Sequence, residues 1–168
     1  IENTDLDEVW LMVSPNNPLK DKSILADEQE RLEKAREAIR REGERREAKG
    51  DEAMRREGKR IRVSDFEFHL PRPTYTANTL RALAREYPEH EFTLIIGEDN
   101  LEIFPKWREY TYLLENFRIL VYPRKGNSKS TEQILKELET THIKNVQLLA
   151  EAPYFEISST ELRKNLHN

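Results

Sequence analysis

Short apolar runs, each cut off by proline or glycine and each separated by helix-like sequence, set the strongest limit on what this chain can fold into. Glu8–Ser14 (EVWLMVS) stops at Pro15, Phe92–Ile96 (FTLII) at Gly97, and Arg118–Tyr122 (RILVY) at Pro123. Runs of that length bounded by breakers suit strands of a parallel sheet covered on both faces. Ile61–Phe68 alternates apolar and polar residues, the period of a half-buried strand, and Val146–Leu149 reads as a short one. Helical spacing fills the intervals. From Ile24 onward Leu25, Leu32 and Ile39 recur every seven residues beside Ala35 and Ala38; Thr76–Glu86 sets Leu80, Leu83 and Ala84 on one face; further helices fall at about Trp107–Glu115, Thr131–Thr140 and Ser159–Leu166. Strands alternating with helices predict an α/β fold with a parallel, doubly wound sheet.

The 168 residues are read as a single domain able to bury a core. A net charge of −4 gives no general attraction to nucleic acid or an anionic membrane. Zero cysteines exclude disulfides, iron–sulfur clusters, thiolate zinc sites and cysteine nucleophiles. No apolar run approaches the roughly 18 residues of a membrane helix, and a cytoplasmic setting is expected. Residues 40–60 (RREGERREAKGDEAMRREGKR) differ from the rest, with 15 of the chain's 60 charges and three of its five glycines. Their signs are interspersed, which predicts a solvated helix with i,i+4 pairs or a mobile insert.

In doubly wound sheets ligands bind beyond the carboxyl ends of the strands, which here are Ser14–Lys20, Gly97–Asn100 and Pro123–Lys125. Gly97 lets a ligand approach the backbone, and Asp99 can accept ribose hydroxyls, although a strand-ending turn uses the same letters. Ser158, Ser159 and Thr160 place hydroxyls at a predicted helix start, where unpaired N–H groups favour phosphate, and Arg163 follows Thr160 on the same face. Ser158 with Glu161 is equally a capping box. Trp107 offers a large face for stacking but also suits a core, and Thr76 is a cap or a ligand donor. The histidines at 69, 90, 142 and 167 lack metal-ligand spacing, so no resident metal is expected, and no nucleophile–base pair is visible. Such groups suit positioning and charge neutralisation, as phosphate-group transfer requires.

Six collinear stretches, EVWLMVSPNNPLK (8–20), VSDFEFHLPRPTYTANTLRAL (63–83), FTLIIGEDN (92–100), FPKW (104–107), VYPRKG (121–126) and FEISSTELR (155–163), resemble the bacterial nicotinate-nucleotide adenylyltransferases. The resemblance implies a Rossmann-like sheet with helices on both faces, and an enzyme that joins ATP to nicotinate mononucleotide on the route to NAD. It places Ser158, Ser159, Thr160 and Arg163 on the ATP phosphates and Gly97 and Asp99 against the adenosine ribose. Trp107 would stack on the nicotinate, with Thr76 near its carboxylate. Arg124 and Lys20 would line the phosphate and substrate cleft, and Mg²⁺ would arrive with ATP. The partners are these small molecules, not nucleic acid or membrane.

Two features depart from that family. It opens with a strand and a GxFxPxHxGH-like loop whose histidines stabilise charge on the reacting phosphates. The glycines here, at 43, 50, 58, 97 and 126, have no histidine neighbour, so no catalytic histidine is assigned. The chain begins at Ile1 without methionine and reads as lacking its first βα unit. Residues 1–168 alone are therefore expected to be aggregation-prone and essentially inactive. The charged stretch 40–60 is also longer than the family usual, and no function attaches to it. A pantetheine-phosphate adenylyltransferase is the alternative within the superfamily; outside it stands a non-catalytic nucleotide-binding remnant or charged interaction module.

Overall fold

The three strand pairings found in the computed structural model, which describes residues 4–15, 28–48, 60–123, 133, 134, 136, 145–150 and 152, are all parallel. Strand β1 (Glu8–Met12) runs beside β2 (Arg60–Ser64), with Glu8 opposite Arg60 and Met12 opposite Ser64. Strands β3 (Thr93–Gly97), β4 (Arg118–Tyr122) and β5 (Val146–Leu148) form a second sheet in that order. The expected α/β class with parallel strands is what the chain adopts. It divides into two compact units, Ile1–Ala82 and Leu83–Asn168.

In the first unit, helix α1 (Glu28–Ala48) packs against β2. Its apolar stripe is narrow: Leu32 is buried, Ala35 and Ile39 are half-buried, and Ala38 is exposed. Polar contacts supply much of the rest. Glu37 holds Arg40 and Arg41, Arg40 also reaches Glu44, and Lys34 meets Glu30 at 2.6 Å. Of the charged stretch 40–60, residues up to Ala48 are thus helical, with ion pairs of the expected spacing at its start. Arg36–Asp65 at 3.1 Å and Arg72–Glu28 at 2.9 Å tie α1 to the segment after β2.

Three expectations for this unit need correction. Strand β1 is not covered on both faces. Val9, Leu11, Ile61 and Val63 share a face by register, and Leu11 and Ile61 are 44% and 39% exposed there. A run of apolar letters fills both faces of the pleat whether or not both are packed. On the other face the Arg62 guanidinium sits 3.6 Å above the Trp10 ring and pairs with Glu8 at 2.9 Å. Second, the alternating Ile61–Phe68 segment leaves the sheet at Ser64, and Phe66–His69 forms a 3-10 turn. The Ser64 hydroxyl accepts from the Phe66 amide at 3.3 Å and Asp65 O from the Phe68 amide at 2.8 Å, which diverts the backbone from the ladder. Third, helix α2 (Thr76–Glu86) buries Ala77, Leu80 and Leu83 but leaves Ala84 exposed.

The second unit holds most of the apolar core. Helix α3 (Glu98–Ile103), a 3-10 turn at Phe104–Lys106 and helix α4 (Tyr110–Asn116) connect β3 to β4. Leu101, Phe104, Leu113, Leu114, Ile119, Leu120 and Val121 are fully buried. Strand β4, flanked by β3 and β5, matches the reading of a continuous apolar run; β3 does not, because Ile95 stays 42% exposed. The helix expected from about Trp107 starts at Tyr110, since Trp107 is extended (φ −73°, ψ 142°) and Glu109 is left-handed (φ 55°, ψ 38°). The Ser159–Leu166 segment and most of Thr131–Thr140 lie outside the described residues. Among the described residues no helix is long and apolar enough to cross a membrane.

Candidate functional site

Gly97 closes β3 opposite Tyr122 of β4 and caps α3. Its backbone is extended (φ −76°, ψ 155°), so no left-handed geometry demands glycine. Residues Gly97–Asn100 do not form a strand-ending turn. Glu98 and Asp99 open α3, where the positive end of the helix dipole favours carboxylates. Asp99 is exposed.

Trp107 follows the Phe104–Lys106 turn, and its amide donates to Phe104 O at 2.9 Å. Its ring leans on Phe104, centroids 5.1 Å apart and planes inclined at 47°, while Tyr110 meets Phe104 edge-on at 6.4 Å. The side chain is half-buried, and the indole N–H is buried with no hydrogen-bond partner among the described residues. Two residues on, Glu109 caps α4 in the left-handed region (φ 55°, ψ 38°), the only non-glycine residue with positive φ among those described. Glutamate has no preference for that region, so nothing in the letters announces the turn.

In the first unit Thr76 begins α2. The Thr79 amide donates to Tyr75 O at 3.0 Å, which puts Tyr75 at the capping position and Thr76 inside the helix. The cap reading of Thr76 therefore falls. Beneath this turn lie three buried polar residues that the sequence did not single out: Glu67, Thr74 and Thr79. The Thr79 hydroxyl donates to Glu67 Oε1 at 2.7 Å. Glu67 Oε2 and Thr74 Oγ1 have no partner among the described residues. A polar-apolar alternation that reads as a strand hides Glu67, because the period assigns Glu to the solvent face.

Arg31 was likewise not foreseen. Its Nη1 donates to Ser14 O at 2.7 Å and its Nη2 to Pro15 O at 2.9 Å, so one planar fork fixes two successive carbonyls where β1 gives way to its loop. The two partners are 16 and 17 residues away in sequence, beyond any local signal.

Of the expected site residues, Gly97, Asp99 and Trp107 lie in the second unit, along 11 consecutive residues, and Thr76 in the first. Lys20, Arg124, Ser158, Ser159, Thr160 and Arg163 lie outside the described residues. Electrostatic shifts fall on the helix surface: hydrogen bonds from Arg40 and Arg41 hold the Glu37 carboxyl below its ordinary range, and the hydrogen bond to Glu28 pushes the Arg72 guanidinium up. No group of three metal-ligating side chains forms among the described residues.

Residues 1–165 match the cytidylyltransferase-like family, and the chain belongs to it. Within that family it is similar to proteins named probable nicotinate-nucleotide adenylyltransferase. The one from Bacteroides fragilis is 44% identical over 161 residues, covering 96% of this chain and 68% of that protein. Those of Flavobacterium johnsoniae and Cytophaga hutchinsonii are each 41% identical, covering 98% and 96% of this chain and 74% and 71% of theirs. A Plasmodium falciparum nicotinic acid mononucleotide adenylyltransferase complexed with APC overlaps at a TM-score of 0.48 and 25% identity, covering 62% of this chain and 50% of that one.

Proposed function

We propose that this chain carries adenylyl transfer from ATP to nicotinate mononucleotide, a step of NAD biosynthesis. A phosphate oxygen of the mononucleotide attacks the α-phosphorus of ATP. The bond from that phosphorus to the bridging oxygen breaks, pyrophosphate leaves with the electron pair, and deamido-NAD forms. The observation that carries this reading is identity of 41–44% with enzymes of that name over 96–98% of the chain. Pantetheine-phosphate adenylyl transfer and a non-catalytic remnant have no comparable support.

In this reading Ser158, Ser159, Thr160, Arg163 and Arg124 bind the phosphates of ATP, and Gly97 and Asp99 lie against its ribose. Trp107 stacks on the pyridine, Thr76 takes the pyridine carboxylate, and Lys20 lines the substrate cleft. The half-buried indole of Trp107 braced by Phe104 suits a stacking partner, since it is held on one side and costs little entropy to order further. Mg²⁺ enters as the counter-ion of substrate ATP, which needs no protein cage. The reaction belongs in the cytoplasm, where both nucleotides are available.

The test is incubation of the chain with ATP, Mg²⁺ and, in parallel, nicotinate mononucleotide, its nicotinamide counterpart or phosphopantetheine, with pyrophosphate and dinucleotide measured. Product from nicotinate mononucleotide first is the expected result; product only from phosphopantetheine overturns the reading.

A further inference from the structure

We infer that Glu67 and Thr79 form a positioning pair that sets the first turn of α2, and through it the pyridine-binding residue Thr76; the inference rests on the proposed function. Glu67, 6% exposed, sits in the 3-10 turn after β2, and Thr79, 4% exposed, one turn into the helix. The contact joins elements 12 residues apart and is the one side-chain hydrogen bond between buried partners in this unit among those described. Thr79 has a single hydroxyl proton and two acceptors in reach, Glu67 Oε1 at 2.7 Å and Tyr75 O at 3.3 Å. Tyr75 O already accepts the Thr79 amide at 3.0 Å, so the shorter contact to Glu67 takes the proton.

Without Glu67 the hydroxyl falls back on Tyr75 O, four residues behind it. Bonding of that kind bends a helix and loosens its turn. Thr76 lies three residues before Thr79, on the same helical face, so the turn that would loosen is the one presenting Thr76. Burial here is costly rather than convenient. Glu67 Oε2 and Thr74 Oγ1 are both enclosed without a partner among the described residues, and an apolar pair would serve packing better. Three buried polar residues thus bracket Thr76 in the chain, with Thr79 hydrogen-bonded back to Glu67, and this arrangement points to placement of that residue and not to stability.

The experiment uses the 168-residue chain and the variants Thr79→Val, Thr79→Ser, Glu67→Leu and Glu67→Gln. Two quantities are read: amide hydrogen exchange along α2, with Ile119 and Leu120 of β4 as controls, and binding of nicotinate mononucleotide and of ATP by equilibrium dialysis. Thr79→Val and Glu67→Leu should speed exchange at Thr79 and Leu80 and weaken nicotinate mononucleotide about tenfold, the scale of one hydrogen bond, with ATP changed less than about twofold. Thr79→Ser and Glu67→Gln keep a donor and an acceptor and should stay close to wild type. Unchanged exchange, or equal losses for both ligands, or failure of Thr79→Ser to rescue, overturns the pair as a positioning device while wild type still binds. A wild-type chain that binds ATP but not nicotinate mononucleotide overturns the functional reading, and this inference with it.

Discussion

The two units reach their folded state by different means. Leu83–Asn168 wraps β4 in apolar side chains: Leu101, Phe104, Leu113, Leu114, Ile119, Leu120 and Val121 are sealed from water. Among the described residues of Ile1–Ala82 the buried apolar ones are Val13, Leu32, Ala77 and Leu80, and the buried polar ones are Glu67, Thr74 and Thr79, while Arg31, Arg36, Arg62 and Arg72 tie elements together through polar contacts. Burial of apolar area stabilises in proportion to the area removed from water, whereas exposed ion pairs contribute little and are screened by salt. The difference teaches that the first unit has less buried apolar area behind it among the described residues, so individual hydrogen bonds and ion pairs form a larger share of what orders it.

The largest expected effect breaks the second unit. Phe104→Ala removes a fully buried ring and should cost about 3–5 kcal/mol in urea unfolding. A loss under about 1 kcal/mol would mean that the Phe104–Trp107–Tyr110 cluster repacks freely, and the contrast between the units would fail. Next comes Trp107→Ala. By dialysis it should weaken nicotinate mononucleotide by roughly 1–3 kcal/mol if stacking resembles that of bases on aromatics, and ATP little; equal losses would return Trp107 to the role of a core residue.

Glu109→Gly sharpens the comparison at smaller scale. Left-handed backbone costs an L-residue about 1–2 kcal/mol, and glycine removes that cost while adding freedom to the unfolded chain. The net should be a neutral to slightly raised melting temperature, whereas a clear fall would show that the Glu109 side chain stabilises the turn. The smallest effect belongs to α1. The pKa of Glu37 is lowered in the fold by hydrogen bonds from Arg40 and Arg41, so its contribution is present above the ordinary carboxylate value, about 4.3, and is lost as pH falls through the lowered one. Helicity followed by circular dichroism should fall across that acid window in wild type and less in Glu37→Gln. Arg72→Ala should matter at low salt and become silent near about 1 M salt, where the screening length is short.

Much of this architecture was legible in the letters, and the reason differs by element. The run Arg118–Tyr122 was readable because β4 is buried on both sides, so sequence and burial agree position by position. Glu8–Ser14 looked the same but leaves Leu11 44% exposed, because hydropathy records what a residue prefers and not what its neighbours cover. Ile61–Phe68 misled through a serine hydroxyl that redirects two residues of backbone. Gly97, Asp99, Thr76 and Trp107 stood out as candidates by their places after strands or at a helix start, and their roles belong to the proposed function. Glu67, Arg31 and Glu109 were not, since their parts are set by partners 12 to 17 residues away or by backbone geometry foreign to their type.

Parallel pairing has a further consequence, for the order in which the chain assembles. No hairpin joins any of these strands: Thr93 must find Arg118 across 25 residues, Ile119 must find Val146 across 27, and Glu8 must wait for Arg60, 52 residues on. Closing the longest of these loops costs only about 0.6 kcal/mol more than closing one half its length, so equilibrium barely registers the charged stretch before β2. Rates respond to sequence separation more strongly, since the entropy is lost before the contacts form. On a ribosome β1 emerges before its partner β2 and pairs late, exposing Val9, Leu11 and their unfilled ladder while α1 is still being made. The segment that separates them in sequence includes the charged helix α1, so β1 waits for Arg60–Ser64 beside acidic and basic side chains and not beside another apolar run.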